Sequence, residues 1–484
     1  MNTAAFTMAV LAPAFPEILL LALASALLVG DLFIKDAKSH LTYWLSLATL
    51  GLCFALVLAF IAAPPIVTFG GMFVDDPLSR VLKLGILASV AVTFVYSRDY
   101  LADRGLLRGE FLCLSLFATL GMMVMVSANH FLTLYLGLEL LALSLYAMVA
   151  LQRDSAVATE AAMKYFILGA LASGLLLYGM SMLYGATGSL DIARVANAIE
   201  TQAAHPVLLV FGLVFVVAGI AFKLGAVPFH MWIPDVYEGA STPATLFIGA
   251  APKLAAFGFV MRLLADGLGG LSTDWQGMLV ILAVLSIAVG NIIAIAQTNL
   301  KRMLAYSTIA HMGFMLLGVL SGNTGGYAAA MFYAITYVLM TLAAFGVILL
   351  LSRAGFEADR LEDFKGLNQR SRWYAFVMLI TVFSLAGIPP TVGFFAKLVV
   401  LQAAWVAGFG PLVVYAVLMS VIGAFYYLRI IKLMYMDDAV GEMPLSTRPS
   451  MRVVLSANAA LVLALGILPS PLLNLCARAI AASL

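Results

Sequence analysis

Residues 206–221 read PVLLVFGLVFVVAGIA, without one charged or hydrogen-bonding side chain. Runs of this kind recur from one end of the chain to the other. A bilayer core about 30 Å thick requires roughly 20 such residues in a helix. At that length the sequence divides into about fourteen helical segments. Their limits are 13–34, 41–62, 78–98, 110–127, 129–150, 160–185, 206–235, 241–265, 276–297, 301–320, 325–352, 373–405, 408–435 and 453–477. Hydrophobic side chains make up 64% of the 484 residues and charged ones 10%. Soluble domains have roughly 45–50% and about 25%. So little charge cannot cover a soluble surface of this size, and the expected fold is an all-α polytopic membrane protein. The longest polar stretch, 352–372, leaves no room for a separate soluble domain. The first segment contains LALASA but has no basic stretch before it, and is expected to remain as an uncleaved helix.

The basic residues orient this map. Most of the 26 lysines and arginines fall in loops after odd-numbered segments, among them Lys35, Lys38, Arg104, Lys301, Arg353 and Arg448. Arg80, Lys83, Arg194, Arg262 and Arg478 fall on the opposite side. The excess marks the cytoplasmic side and places both termini outside the cytoplasm. Lys164, Lys223, Lys253 and Lys397 fit neither side, because all four lie inside segments. Of the acids, Glu139 alone lies deep in a segment; Glu17, near the start of the first, can reach the interface.

A charge at mid-bilayer costs roughly 2.5–3.5 kcal/mol on insertion scales. The ordinary alternatives are snorkelling to the interface or a salt bridge between helices. Lysine is the informative choice, because it loses its proton when desolvated and arginine does not. Four cations against one carboxylate imply that at least one lysine is neutral part of the time. Such a row is what a proton relay requires. His230 and His311 can extend it, since neutral imidazole both accepts and donates; the plainer reading is a helix–helix hydrogen bond. His130 and His205 sit at segment edges, and His40 in a loop.

The seventh and twelfth segments are too long for one straight span, and both contain proline. Proline breaks the backbone ladder, which is tolerated in a bilayer only inside protein or beside a wet cavity. FKLGAVPF (222–229) and FSLAGIPP (383–390) share Phe-x-Leu-x-x-x-Pro, placing the breaks at Pro228 and Pro389. The breaks are five segments apart, so the two cross the membrane in opposite directions. That points to two inverted five-helix repeats, helices 4–8 (110–265) and 9–13 (276–435). Three helices precede them (1–109) and one follows (436–484), all in one transmembrane domain. Helix 10 carries Ser307, Thr308 and His311, where helix 5 carries Glu139.

No soluble catalytic apparatus is legible. Cys53, Cys113 and Cys476 are scattered without metal or disulfide spacing, and no glycine-rich phosphate loop or paired haem histidines occur. A net charge of +2 suggests no nucleic-acid partner.

LGLELLALSLYAMVAL, FKLGAVPFHMWIPDVYEGASTPATLFIGAAPKLAAF, NLKRMLAYSTIAHMGFMLLG and FSLAGIPPTVGFFAKL resemble the antiporter-like membrane subunits of respiratory complex I, over essentially the whole chain. The resemblance is strongest to the N type of the bacterial NADH-quinone oxidoreductase. Lysine at 397, where the M type usually has glutamate, favours N over M; the L type carries a long lateral C-terminal helix that this sequence lacks. The resemblance implies a proton-pumping subunit of the bacterial inner membrane. It implies a Glu139–Lys164 pair, central lysines Lys223 and Lys253, and Lys397 at the second break. It implies no redox cofactor in this subunit, with NADH, FMN, iron–sulfur clusters and quinone handled by or with others. The implied partners are other complex I membrane subunits, especially antiporter-like neighbours, and membrane lipids. A subunit of a multisubunit sodium/proton antiporter or of a membrane-bound hydrogenase, or a structural scaffold without a proton path, stays open on the residues.

Overall fold

The computed structural model describes residues 8–33, 39–201, 205–439 and 449–484. Lys35, Lys38 and Arg448 lie outside the described residues. Thirteen described helices are long and apolar enough to cross a membrane, from Ala12–Asp31 to Pro449–Ile467. Two shorter apolar helices, Arg372–Ala386 and Val392–Val406, occupy the stretch expected as the twelfth segment. The all-helical membrane fold expected from the apolar runs is therefore present.

Polar residues start the helices where the apolar runs begin. Asp76 and Ser79 form a capping box before Pro77–Asp103, Ser155 caps Ala156–Thr187, and Asn299 caps Leu300–Leu320. Each cap satisfies an N–H that the first turn leaves free. Small residues then let the spans meet closely, as membrane helices require. A Cβ on Gly121 would lie 2.7 Å from the backbone of Gly137, and one on Gly290 2.6 Å from that of Ala310. These contacts join the fourth span to the fifth and the ninth to the tenth.

Loops after odd-numbered spans gather on one face. There Arg104 pairs with Glu357 at 3.0 Å, and Arg302 with Asp235 and Glu238 at 2.8 Å each. The opposite face carries an antiparallel hairpin, Ile66–Thr68 with Phe73–Asp75, and the short amphipathic helix Ile192–Glu200. Three of the basic residues assigned to that face are buried in ion pairs: Arg80 with Asp75, Lys83 with Glu17 and Arg262 with Asp76. Glu17 does not reach the interface; it is 5% exposed.

The interrupted spans differ in detail from the sequence map. The first half of the seventh ends at Leu224, with Gly225 left-handed at φ 79°, and the chain resumes helix at Trp232. The first half of the twelfth ends at Ala386, with Gly387 at φ 85°, and helix resumes at Val392. Val227–Pro228 and Pro389–Pro390 are both cis. The glycine, not the proline, ends each half-helix. Aligned on these glycines, Pro228 corresponds to Pro390, one residue later than the Phe-x-Leu-x-x-x-Pro register, and Phe222 to Ser384.

The eighth span is interrupted as well. Thr242–Gly249 stops at Ala250 (φ −105°, ψ −96°), Ala251–Val260 continues, and Met261–Gly267 is a π-helical turn. Pro252 supplies no N–H to continue the ladder across this point. The stretch 453–477, expected as one helix, is two: Pro449–Ile467 and Ser470–Ala481, with Pro469 between them. The second lies back on the bundle, where Ser483 Oγ accepts from the Leu78 N–H at 3.0 Å. His40 belongs to the helix Ser39–Ala59 rather than to a loop.

Candidate functional site

The first half of the seventh span ends inside the protein and leaves carbonyls to be satisfied. Gly225 N–H donates to the Ala221 and Phe222 carbonyls and Ala226 N–H to Ala221, closing the last turn. The Phe222 carbonyl also accepts from Trp232 Nε1 at 3.1 Å, and the Leu224 carbonyl from Lys253 Nζ at 3.0 Å. Lys253 is 2% exposed, and its ammonium stands 5.7 Å from the Trp232 ring centre. Trp232 stacks on Tyr165, centroids 4.6 Å apart. The broken span thus fixes a lysine of the eighth against its carbonyl end, where the helix dipole is negative.

Lys223 lies one residue before Leu224, half-buried. Lys223 and Lys253 line one cavity of about 30 Å³, together with Trp232, Tyr165 and apolar side chains of the fourth, fifth and eighth spans. A cavity needs roughly 10–15 Å³ to admit a water. This cavity is therefore large enough for one water.

Glu139 is half-buried on the fifth span. Its Oε1 is buried without a hydrogen-bond partner. The residues around it, Leu136 and Leu143, are 66% and 56% exposed, so this face opens outward. Lys164 does not join it. The Lys164 ammonium lies 2.8 Å from Asp235 and 2.8 Å from Glu160, with 44% of its side chain exposed. The expected Glu139–Lys164 pair is thus replaced by a Lys164–Asp235 pair. The half-helix Trp232–Gly239 points its acids at the sixth and tenth spans, and that position follows from the break.

In the second half, Lys397 reaches back to its own broken span. Its Nζ donates to the Ala386 carbonyl at 2.8 Å and to Ser420 Oγ at 2.9 Å, and stands 5.0 Å from the Phe314 ring centre. Ala386 precedes Gly387 as Leu224 precedes Gly225. His311 is 3% exposed, with Nδ1 2.7 Å from Tyr333 Oη and Nε2 3.1 Å from Tyr427 Oη. Tyr427 Oη bonds Ser307 Oγ, and Tyr337 Oη donates to Thr308 Oγ1 at 2.7 Å. His230, in the turn after Pro228, is half-buried with Nδ1 unpartnered. Among the described residues no group of His, Cys, Asp or Glu side chains is placed to hold a metal.

The tyrosines and Trp232 were not legible as site residues; their only signal is a hydroxyl or indole N–H inside an apolar run. Lys301 was assigned to a loop yet is 3% exposed.

The family described as NADH:quinone oxidoreductase/Mrp antiporter, TM, matches residues 128–423. NADH-quinone oxidoreductase subunit N of Thiobacillus denitrificans is 64% identical over 472 residues, covering 98% of each chain. The subunit N of Nitrosomonas europaea is 60% identical, covering 97% of each. The chain belongs to the subunit N family of NADH-quinone oxidoreductase. A chain of respiratory complex I from Thermus thermophilus superposes at TM-score 0.82 with 33% identity, over 95% of this chain and 98% of that one. A chain of the Mrp complex from Dietzia reaches the same TM-score at 22% identity, a likeness of fold alone. Subunits of this family are antiporter-like, proton-translocating membrane subunits, and the buried charged residues described above are those of such a subunit.

Proposed function

We propose that protons cross this subunit by way of Glu139, Lys223, Lys253, His311 and Lys397, driven by electron transfer in partner subunits of the oxidoreductase. One observation carries the reading: Lys253 and Lys397 hold the same carbonyl position of two broken half-helices. An amine donates to a carbonyl whether or not it carries the extra proton, so each cap persists while its lysine titrates. Glu139 sets the proton affinity of Lys223 through its charge, and the cavity lets Lys223 exchange with Lys253. The His311–Tyr333–Tyr427–Ser307 chain offers hydroxyl and imidazole groups on the way to Lys397. Lys164, held on Asp235, acts by releasing or retaining charge at the half-exposed end of the half-helix Trp232–Gly239. His230, with a free ring nitrogen at the first break, joins the path there.

The two glycine-ended breaks support an inverted pair of five-helix repeats, 110–265 and 276–435. The basic loops support termini on the periplasmic side of the bacterial inner membrane. Glu139 on an outward face suits cover by a neighbouring antiporter-like subunit, with lipid on the remaining apolar faces. NADH, FMN, iron–sulfur clusters and quinone are then the business of other subunits.

The test is proton pumping by the assembled complex in vesicles, wild type against Lys223→Ala, alongside NADH oxidation. Loss of protons per NADH is expected. An unchanged ratio in the folded complex would remove Lys223 from the path.

A further inference from the structure

Lys301 opens the tenth span at the face of the basic loops, yet only 3% of it is exposed. Its ammonium donates at 2.9 Å to the carbonyl of Ala240, the residue that closes the half-helix Trp232–Gly239. It is therefore a third lysine seated on the end of a half-helix, beside Lys253 and Lys397. Acids border this carbonyl on both sides: Glu238, two residues before Ala240, is paired with Arg302, and Glu357, paired with Arg104, accepts from Thr242, two residues after it. Both acids touch solvent, with side chains 26% exposed at Glu357 and 38% at Glu238. Further along the same helix stand two more buried polar groups, Thr308 and His311. Thr308 lies seven residues on, close to two turns, and His311 three further, so the three occupy one side of the tenth span over about 15 Å. Tyr337 and Tyr333 of the eleventh span bond Thr308 and His311 at 2.7 Å each.

We propose that Lys301 is the proton-uptake residue of the second half. It takes a proton from the carboxylate rim of Glu357 and Glu238 and passes it along the Thr308–His311 stripe. The neutral amine accepts the proton and the ammonium returns it, so no other reactant is needed. The amine serves both roles at this place: it keeps Ala240 capped in either state, and it lies between the partly exposed acids at Ala240 and the buried Thr308 and His311. The inference rests on the proton-translocating reading proposed above.

The test compares protons moved per NADH oxidised in vesicles for wild type, Lys301→Arg, Lys301→His and Lys253→Arg. The ratio is independent of how much complex assembles. Arginine keeps a charged donor for Ala240 but does not release its proton. Uptake through Lys301 predicts that Lys301→Arg loses at least half as much of the ratio as Lys253→Arg, and that Lys301→His recovers part of the loss. A wild-type ratio in Lys301→Arg beside a reduced one in Lys253→Arg would make Lys301 a helix cap only and overturn the inference. A wild-type ratio in both would overturn the proton path on which it rests.

Discussion

Lys253 crosses from the eighth span to donate to the carbonyl of Leu224, the last residue of the first half of the seventh, at 3.0 Å. Lys397 makes the equivalent bond to Ala386 at 2.8 Å, from the second half of its own span. The same carbonyl is capped in both halves by lysines of different origin. Broken helices in membranes leave charged ends that coordinate ions near the midplane. Here the coordinated cation is a side chain that can itself give up a proton.

Removing the cap and removing the titrating group are separable. Lys253→Met leaves the Leu224 carbonyl buried without this donor, a cost of about 1–3 kcal/mol. Lys253→Arg supplies a donor again but no releasable proton. Thermal stability of the purified complex is expected to fall in the methionine variant and largely return in the arginine variant. Proton yield per NADH is expected to fall in both. Full pumping with arginine would show that the charge, and not its titration, matters.

Lys164 rests on Asp235 rather than on Glu139, and a double-mutant cycle can tell the partners apart. Single variants Lys164→Met and Asp235→Asn, and the double variant, are expected to be non-additive in proton yield, as contacting residues are. The cycle of Lys164→Met with Glu139→Gln is expected to be closer to additive. The reverse order of coupling would place Lys164 on Glu139 during turnover.

The His311 chain gives a third expectation. Tyr427→Phe removes the hydroxyl between His311 and Ser307 and leaves both buried with one partner fewer, again about 1–3 kcal/mol. Tyr333→Phe removes only the Nδ1 contact. Proton yield is expected to fall more with Tyr427→Phe than with Tyr333→Phe, since only Tyr427 joins His311 to Ser307. Equal yields, measured against NADH oxidation, would remove the tyrosines from the path.

His130 caps the fifth span by accepting the Leu132 N–H on Nδ1 at 3.2 Å, which requires that nitrogen unprotonated. Burial pushes its imidazole below the ordinary histidine value, against the pull of the Asp191 carboxylate. The folded state therefore binds the proton less readily than the unfolded one. This contribution to stability is complete above the unfolded value of about 6.5 and is lost as pH falls from there toward the folded value. His130→Asn keeps a capping acceptor that does not titrate. Its thermal stability is expected to fall less than wild type between pH about 7.5 and about 5.5. Parallel curves would exclude the cap as the cause.

Much of this was legible in the apolar runs and in the lysines that no loop claims. A run of about 20 apolar residues has few alternatives to a span, and the breaks at 228 and 389 showed as excess length with proline. What escaped depended on partners far apart in sequence. Lys83 reads as a helix-end charge until Glu17 is found 2.6 Å away. Lys301 reads as a loop residue until the Ala240 carbonyl covers it. The break at Ala250 leaves only Pro252 as a trace, since the segment is of ordinary length. The proline register was one residue out because the left-handed glycine that ends each half-helix weighs more than the proline that follows.

Those two glycines support a last expectation. Both hold a left-handed backbone, at φ 79° for Gly225 and 85° for Gly387, where any side chain costs about 1–2 kcal/mol. Their surroundings differ. A Cβ at 225 would fall 1.8 Å from Ile233 Cδ1, in the first turn of the second half of the seventh span. A Cβ at 387 would meet Lys397 Cδ at 2.8 Å and Nζ at 3.3 Å. Lys397 ends in a flexible chain and can yield, but yielding takes its ammonium off the Ala386 carbonyl. Gly225→Ala is therefore expected to reduce the amount of assembled complex, while the complex that forms pumps with a near-normal ratio. Gly387→Ala is expected to assemble better and pump worse. Native gels give the first quantity and proton yield per NADH the second. A Gly387→Ala complex with the wild-type yield would mean that Lys397 does its work away from the Ala386 carbonyl.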